Sequence, residues 1–213
     1  MHKVANDLES KNLFEAYTEI FEQQISDGIL EELDLEKLCI ENHILIPHRP
    51  VIKEESRCTT KIRPVLNCSL KISTNNSLNE ASYIGVDLLN NLLNLLLKIR
   101  IDPIIMVADI CKAFLQIRLS SELDKNRFSI LWQNRDGTLR AMRYLTLTFG
   151  LAASPFVLNY VILYHLNKYP EDICNESLKK VFYVDNLFIV GSCEKSMRKI
   201  YNQCVIRMSE GDF

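Results

Sequence analysis

The spacing of apolar residues along this 213-residue chain predicts an alternation of helices and strands. Between residues 12 and 26, apolar side chains recur every three or four positions, which is the spacing of one helical face. Residues 154–166 and 194–208 predict two more helices, and a leucine-rich segment predicts a buried one at 86–98. Pro155 fits the first turn of its helix, where its missing N–H leaves no bond unmade.

Short apolar segments between these helices predict strands. They span residues 43–53, 63–67, 104–110, 128–133, 139–147, 181–185 and 187–191. Prolines confine the first two to sheet edges or irregular pairings. The Asp136-Gly137 turn favours a hairpin between 128–133 and 139–147. Residues 104–110 are almost continuously apolar, as in a strand covered on both faces. From residue 101 onward the order of elements predicts an α+β fold with a central antiparallel sheet.

Two aspartates lie at the ends of apolar strands, Asp109 near the end of the 104–110 segment and Asp185 at the end of the 181–185 segment. Alone, Asp109 is explained as a cap for the next helix and Asp185 as an ordinary turn residue. If the strands are neighbours, the two carboxylates meet at one point. Such a pair suits Mg²⁺, which prefers oxygen ligands and serves phosphoryl transfer.

The charge is unevenly distributed, although the chain carries 25 basic and 27 acidic residues. Residues 1–42 hold 3 basic and 11 acidic groups, whereas residues 43–213 hold 22 and 16. The mildly basic body is a hint of a polyanionic partner.

The chain lacks the sequence signatures of several other classes of protein. The seven cysteines are odd in number and contain no CxxC pair, which argues against a disulfide framework or a zinc site. The polar start differs from a signal peptide, and the leucine-rich run at 88–97 is too short to span a bilayer. We therefore expect an intracellular protein, cytoplasmic by default, with the nucleus as the alternative.

Five ordered motifs resemble the reverse transcriptases of LTR retrotransposons, in particular those of the BEL/Pao group. The motifs are LIPHRPVIKEES (45–56), TTKIRPVLNCS (59–69), VADICKAFLQIRL (107–119), LTFGLAASPF (147–156) and FYVDNLFIVGS (182–192). The resemblance implies an α+β fold of the right-hand polymerase type, with fingers and a palm. The palm is expected to be a ferredoxin-like antiparallel sheet with packed helices.

The resemblance also implies a division of the chain. Residues 1–42 would form an acidic helical segment leading into the fingers. Residues 43–100 and 120–147 would belong mostly to the fingers, and residues 101–119 and 148–213 mostly to the palm. The final residues, 211–213, resemble the start of the family's primer-gripping hairpin, so we expect the thumb, ribonuclease H and integrase to be absent.

The metal site implied by the resemblance lies on two motifs. Asp109 corresponds to the first catalytic aspartate, and the carbonyl of Ile110 to a backbone metal ligand. Tyr183 and Val184 would support the catalytic turn that carries Asp185. The implied cofactor is Mg²⁺, with Mn²⁺ as the alternative.

Five further positions match the family's nucleotide-binding residues. Arg63, assisted by Lys61, would grip the incoming triphosphate, since guanidinium groups fork onto phosphate oxygens. Phe149 and Gly150 would pack beneath the nucleotide and template. Phe114 would block the 2′-hydroxyl of a ribonucleotide, with a core aromatic as the alternative. For Arg63 and Lys61, simple solvation is the more common role of such side chains.

Two positions depart from the family pattern. Asn186 takes the fourth place of the YxDD turn, where the family has aspartate, so this catalytic position offers a neutral amide oxygen and should hold metal more weakly. Asn67 replaces an aspartate outside the metal site. The resemblance thus implies an RNA-directed DNA polymerase module of a retrotransposon polyprotein, impaired by Asn186 and the missing thumb.

Several alternatives stay open at this stage. The chain could be a non-catalytic retroelement remnant that binds nucleic acid or a protein partner, or a decayed fragment that does not fold stably. An RNA-templated RNA polymerase is disfavoured by Phe114 and by the 147–156 motif. The implied partners are an RNA or DNA template-primer and deoxynucleotides, with no membrane. A partner chain that supplies a thumb is a further option.

Overall fold

The computed structural model describes residues 2–36, 38, 42–52, 62–71, 76–168, 178–179 and 181–213. The chain forms two compact units: the first comprises Met1–Tyr83 and Arg118–Ser154, and the second comprises Ile84–Ile117 and Pro155–Phe213. Residues 84–100, which the sequence groups with the fingers, belong to the second unit. Residues 148–154, grouped with the palm, belong to the first. The assignment to fingers and palm stays a prediction.

The helices and strands alternate largely as the sequence predicts. The helices are α1 (His2–Ser10), α2 (Phe14–Ser26), α3 (Leu78–Ala81), α4 (Leu92–Lys98), α5 (Ala113–Gln116), α6 (Glu122–Asn126), α7 (Ser154–Asn167) and α8 (Glu194–Ser209). The strands are β1 (Leu30–Leu33), β2 (His48–Ile52), β3 (Ile62–Leu66), β4 (Ile104–Asp109), β5 (Ser129–Gln133), β6 (Leu139–Tyr144), β7 (Phe182–Tyr183) and β8 (Asn186–Gly191).

The first unit contains two antiparallel sheets, one of order β1-β6-β5 and one formed by β2 and β3. The predicted hairpin is confirmed: β5 and β6 pair from Ser129↔Arg143 to Gln133↔Leu139. Gly137 closes this turn with a φ of 86°, a left-handed conformation that glycine adopts without steric cost.

An aromatic cluster fills the core of the first unit. Tyr17 and Phe21 lie one turn apart on the buried face of α2, with ring centroids 5.4 and 5.5 Å from that of Trp132. His48 joins them from β2: its Nδ1 accepts a hydrogen bond from the Tyr17 hydroxyl at 2.8 Å. Since Nε2 bonds the Leu131 carbonyl at 3.0 Å, the ring proton is on Nε2. Burial lowers the pKa of this histidine, so the ring is neutral.

The acidic residues near the N-terminus are partnered by arginines of β6. Arg140 bonds Glu22 of α2, and it also bonds Glu32 of β1 at 2.8 Å. Arg143 bonds Glu31 at 2.7 Å in the same β1–β6 pair. The acidic segment and the basic body therefore neutralise each other in part within the first unit.

The second unit is built on an antiparallel sheet of order β4-β8-β7. The prediction that β4 is covered on both faces is wrong for the described residues. Exposure alternates along β4, and Ile105 and Val107 on its outward face are 43% and 55% exposed.

The predicted helix at 86–98 is shorter in the structure, where helix begins only at Leu92. The prediction that it is buried is also wrong: Leu95 is buried, but Leu93 and Leu97 are 65% and 53% exposed. Asn91 caps it, because its side chain accepts a hydrogen bond from the Asn94 N–H at 3.0 Å. Gly85 has a φ of 90°, and a Cβ there would lie 2.0 Å from the Phe156 ring. This close packing requires glycine and places the segment before α4 against α7.

Candidate active site

The β4–β8 pairing brings Asp109 and Asp185 to the same end of the sheet in the second unit. Asp109 lies opposite Asn186 in the antiparallel register. The Ile110 N–H donates to the carbonyl of Asp185 at 3.0 Å, which extends the pairing past the strand end. Both aspartates line a cavity of about 380 Å³. The two strands thus meet as the sequence analysis requires.

The turn between β7 and β8 is tight. Tyr183 pairs with Asn186, which leaves Val184 and Asp185 as the two turn residues. Val184 has a φ of 58°, a left-handed conformation that is costly for a β-branched side chain. Strained backbone of this kind is found at functional sites, where the surrounding structure holds it in place.

Asn186 changes the chemistry of the site beyond the loss of one charge. Its Nδ2 donates a hydrogen bond to Oδ1 of Asp185 at 2.9 Å. This bond occupies one of the lone pairs that a metal ion would use. In the part of the chain that the structure describes, no three His, Cys, Asp or Glu side chains form a cluster that could hold a metal.

The cavity beside the two aspartates is mainly apolar on its other walls. Helix α8 and the residues after it contribute Tyr201, Cys204, Val205, Met208 and Phe213. Burial raises the pKa of the Cys204 thiol to about 11, so this group stays neutral near pH 7. Sequence reasoning missed this wall, because α8 carries no motif.

Phe114 lies on α5, one short turn beyond Asp109. The turn passes through Lys112, whose φ is 53°, and the side chain of Gln116 closes it by donating to the Cys111 carbonyl at 3.0 Å. Phe114 is half-buried, whereas its neighbours Ala113 and Leu115 are buried. Phe114 is therefore only partly buried, unlike an aromatic side chain of the hydrophobic core.

The first unit holds the other predicted nucleotide-binding residues. Arg63 is a half-buried residue of β3. Three residues on, the Leu66 N–H donates to the carbonyl of Phe149 at 3.0 Å, so the two motifs are in contact. A Cβ at Gly150 would lie 1.9 Å from the Leu66 carbonyl oxygen, and its φ is 107°, so only glycine fits there. Lys61 lies outside the described residues.

Asn79 is a structural residue of this region that sequence reasoning missed. Its Nδ2 donates to the Gly150 carbonyl at 3.2 Å and its Oδ1 accepts from the Ala152 N–H at 2.8 Å. The Ser77–Glu80 capping box positions it at the start of α3. That sequence signal could have located the short helix but not these long-range bonds.

The predicted site residues thus fall into two groups. Arg63, Phe149 and Gly150 belong to the first unit. The second unit contributes the remaining described ones, namely Asp109, Ile110, Phe114, Tyr183, Val184, Asp185 and Asn186.

Comparison with solved structures finds a similar fold in reverse transcriptases. A foamy viral protease-reverse transcriptase in complex with double-stranded DNA matches with a TM-score of 0.64 and 15% identity, over 88% of this chain and 28% of that one. The native prototype foamy virus protease-reverse transcriptase matches with a TM-score of 0.62 and 14% identity, over 90% and 22%. This chain therefore spans less than a third of either protein. No protein-family model matches it, and no curated protein matches its sequence.

These matches confirm the predicted fold class. The chain has the mixed helices and antiparallel sheets of the fingers and palm region of a retroviral reverse transcriptase. None of the helices in the described ranges combines the length and apolar character needed to cross a bilayer.

Proposed function

We propose that the chain is an RNA-directed DNA polymerase module of a BEL/Pao-like retrotransposon, working by two-metal nucleotidyl transfer. The observation that carries this proposal is the β4–β8 pairing, which sets Asp109 beside the Asp185 turn. The reverse transcriptase-like fold and the five ordered motifs support it.

The side chains present fit a magnesium ion. The carboxylates of Asp109 and Asp185 and the carbonyl of Ile110 are hard oxygen donors, and Mg²⁺ in phosphate-transferring enzymes needs only one or two carboxylates besides water and substrate phosphates. Mn²⁺ suits the same donors. In a two-metal site, one ion would activate the attacking hydroxyl and a second would offset charge on the leaving pyrophosphate.

The chain's own residues would bind and orient the substrates. Arg63 and Lys61 would hold the triphosphate, and Phe149 and Gly150 would support the nucleotide and template. Phe114 would exclude a ribonucleotide 2′-hydroxyl. The primer 3′-oxygen then forms a bond to the α-phosphorus, the bond from that phosphorus to pyrophosphate breaks, and the hydroxyl proton leaves to solvent.

The partners of the proposed module are an RNA or DNA template-primer and deoxynucleotides. A second chain could supply the thumb that grips the primer duplex. Because nucleic-acid partners are held through backbone phosphates, we expect template-primer binding that falls steeply with salt. The cytoplasm is the proposed compartment, with the nucleus as the alternative.

A second candidate function is favoured by one observation. The Asn186 side chain donates a hydrogen bond to Oδ1 of Asp185, so this carboxylate oxygen has a partner within the protein. This suits a non-catalytic remnant that keeps the polymerase-like fold and uses it to bind nucleic acid or a protein partner. In that case, template-primer affinity should not change when Asp109 and Asp185 are replaced by alanine.

Primer extension separates the two candidates. The natural chain and the Asn186→Asp variant should be compared on an RNA template with a DNA primer and deoxynucleotides, over a range of Mg²⁺ and Mn²⁺ concentrations. If the chain is a polymerase, we expect primer extension that requires a metal ion and is greater with the Asn186→Asp variant. Asp124→Ala, which removes only an exposed ion pair with Arg127, is a suitable control. Template-primer binding without extension in both proteins would favour the remnant.

A further inference from the structure

Asn90 contacts the hairpin that carries the Asp185 turn. Its Nδ2 donates to the Phe182 carbonyl at 2.7 Å and to the Lys179 carbonyl at 2.9 Å. The side chain is half-buried, and all three residues belong to the second unit. One carboxamide therefore binds two backbone oxygens that lie more than 85 residues away along the chain.

One of these carbonyls, that of Phe182, lies on β7, which is the edge strand of its sheet among the described residues. In the sheet of order β4-β8-β7, the inner side of β7 faces β8, and the Phe188 N–H donates to the carbonyl of Val181 at 3.0 Å. Successive carbonyls of a strand point to opposite sides. The Phe182 carbonyl therefore points away from β8, and Asn90 supplies a hydrogen-bond donor to it.

The segment that holds Asn90 packs against α7 at its start, where the Gly85 backbone meets the Phe156 ring. At its end, Asn91 caps α4. The carboxamide of Asn90 is therefore presented to β7 from an anchored backbone, which makes its two hydrogen bonds effective in fixing the hairpin.

We propose that Asn90 is a positioning residue for the Tyr183–Asn186 turn. It closes the outer edge of β7 and so fixes where the Asp185 carboxylate lies relative to Asp109. The inference rests on the proposed function for its consequence in metal binding, but the closure of the edge can be measured separately.

The test uses the full chain with three substitutions. Asn90→Ala removes both bonds, and Asn90→Asp keeps the shape while losing both N–H donors. Asn94→Ala is the matched control, since it shortens an exposed side chain of α4 and leaves the Asn91 cap in place. Amide hydrogen exchange over residues 181–188 should accelerate about tenfold in both Asn90 variants, the size expected for two lost net hydrogen bonds. The control should leave it unchanged, and unchanged exchange in the Asn90 variants would overturn the proposal.

A second readout separates positioning from mere stabilisation. In the Asn186→Asp background, Mn²⁺ affinity should fall several-fold with Asn90→Asp and stay constant with Asn94→Ala. Faster exchange with unaltered Mn²⁺ affinity would reject a positioning role. If neither the natural chain nor Asn186→Asp binds Mn²⁺, the proposed function fails, and hydrogen exchange alone then decides whether Asn90 closes the edge.

Discussion

The two units differ in how completely they bury their apolar surface. Among the described residues, six large apolar side chains are exposed in the first unit and fourteen in the second. The first unit encloses an aromatic cluster, whereas the second exposes Tyr160, Tyr164 and the outward face of β4. The candidate metal residues lie in the less enclosed unit, so stability and the proposed chemistry rest on different parts of the chain.

Charged side chains of the first unit also pair with one another. Arg140 and Arg143 form ion pairs with glutamates of α2 and β1. The basic excess of residues 43–213 is therefore partly neutralised within the protein. Composition alone overstated how much positive charge is left for a polyanion.

The largest predicted effect concerns the aromatic cluster. Trp132→Ala should lower the free energy of unfolding by about 3–5 kcal/mol, because it leaves a cavity among Phe14, Tyr17 and Phe21. Tyr160→Ala in the second unit, at a side chain 55% exposed, should cost about 1 kcal/mol or less. Urea denaturation of both variants checks the difference, and equal losses would break the contrast between the units.

A smaller effect is expected at Gly150. Gly150→Ala should lower the free energy of unfolding by about 1–3 kcal/mol, since the new Cβ meets the Leu66 carbonyl and the φ of 107° is unfavourable. Gly137→Ala is a matched control, because it has a φ of 86° but open space around the Cβ. Thermal unfolding should show a larger loss for Gly150→Ala. A similar loss at both glycines would mean that the close approach to β3 is unimportant.

The smallest predicted effect is the pH dependence of the first unit. Burial lowers the pKa of His48 below its usual 6.5, so the unfolded chain binds this proton more readily than the folded one. Stability should therefore fall as the pH drops below about 6.5, with a slope of at most about 1.4 kcal/mol per pH unit. Urea titrations at several pH values test this. A His48→Gln variant with the same slope as the parent would contradict it.

Part of this structure could be predicted from the sequence because its signals are local. Apolar runs located β4, β7 and β8, and Asp136-Gly137 located a hairpin. The meeting of Asp109 and Asp185 followed from strands ending in carboxylates. The conformation of Val184 and the hydrogen bond from Asn186 to Asp185 depend on backbone geometry that residue types do not encode.

The parts that could not be predicted depend on contacts between distant residues. β1 pairs with β6 across more than 100 positions, and nothing in the Leu30–Leu33 pattern identifies its partner. Asn79 and Asn90 each bind distant backbone through a carboxamide, an interaction with no periodicity. The helix at 86–98 was overestimated because its leucines suit a helix, while Asn91 and Gly85 set its actual start.

The role that we propose for Asp109 and Asp185 is metal-dependent nucleotidyl transfer. Its most direct test is single-turnover primer extension by the Asn186→Asp chain with and without Asp109→Ala. We predict deoxynucleotide incorporation that needs Mg²⁺ or Mn²⁺ and falls by at least about 100-fold when Asp109 is replaced, as expected for the loss of a charged metal ligand. Equal incorporation with and without the Asp109 carboxylate would contradict the claim.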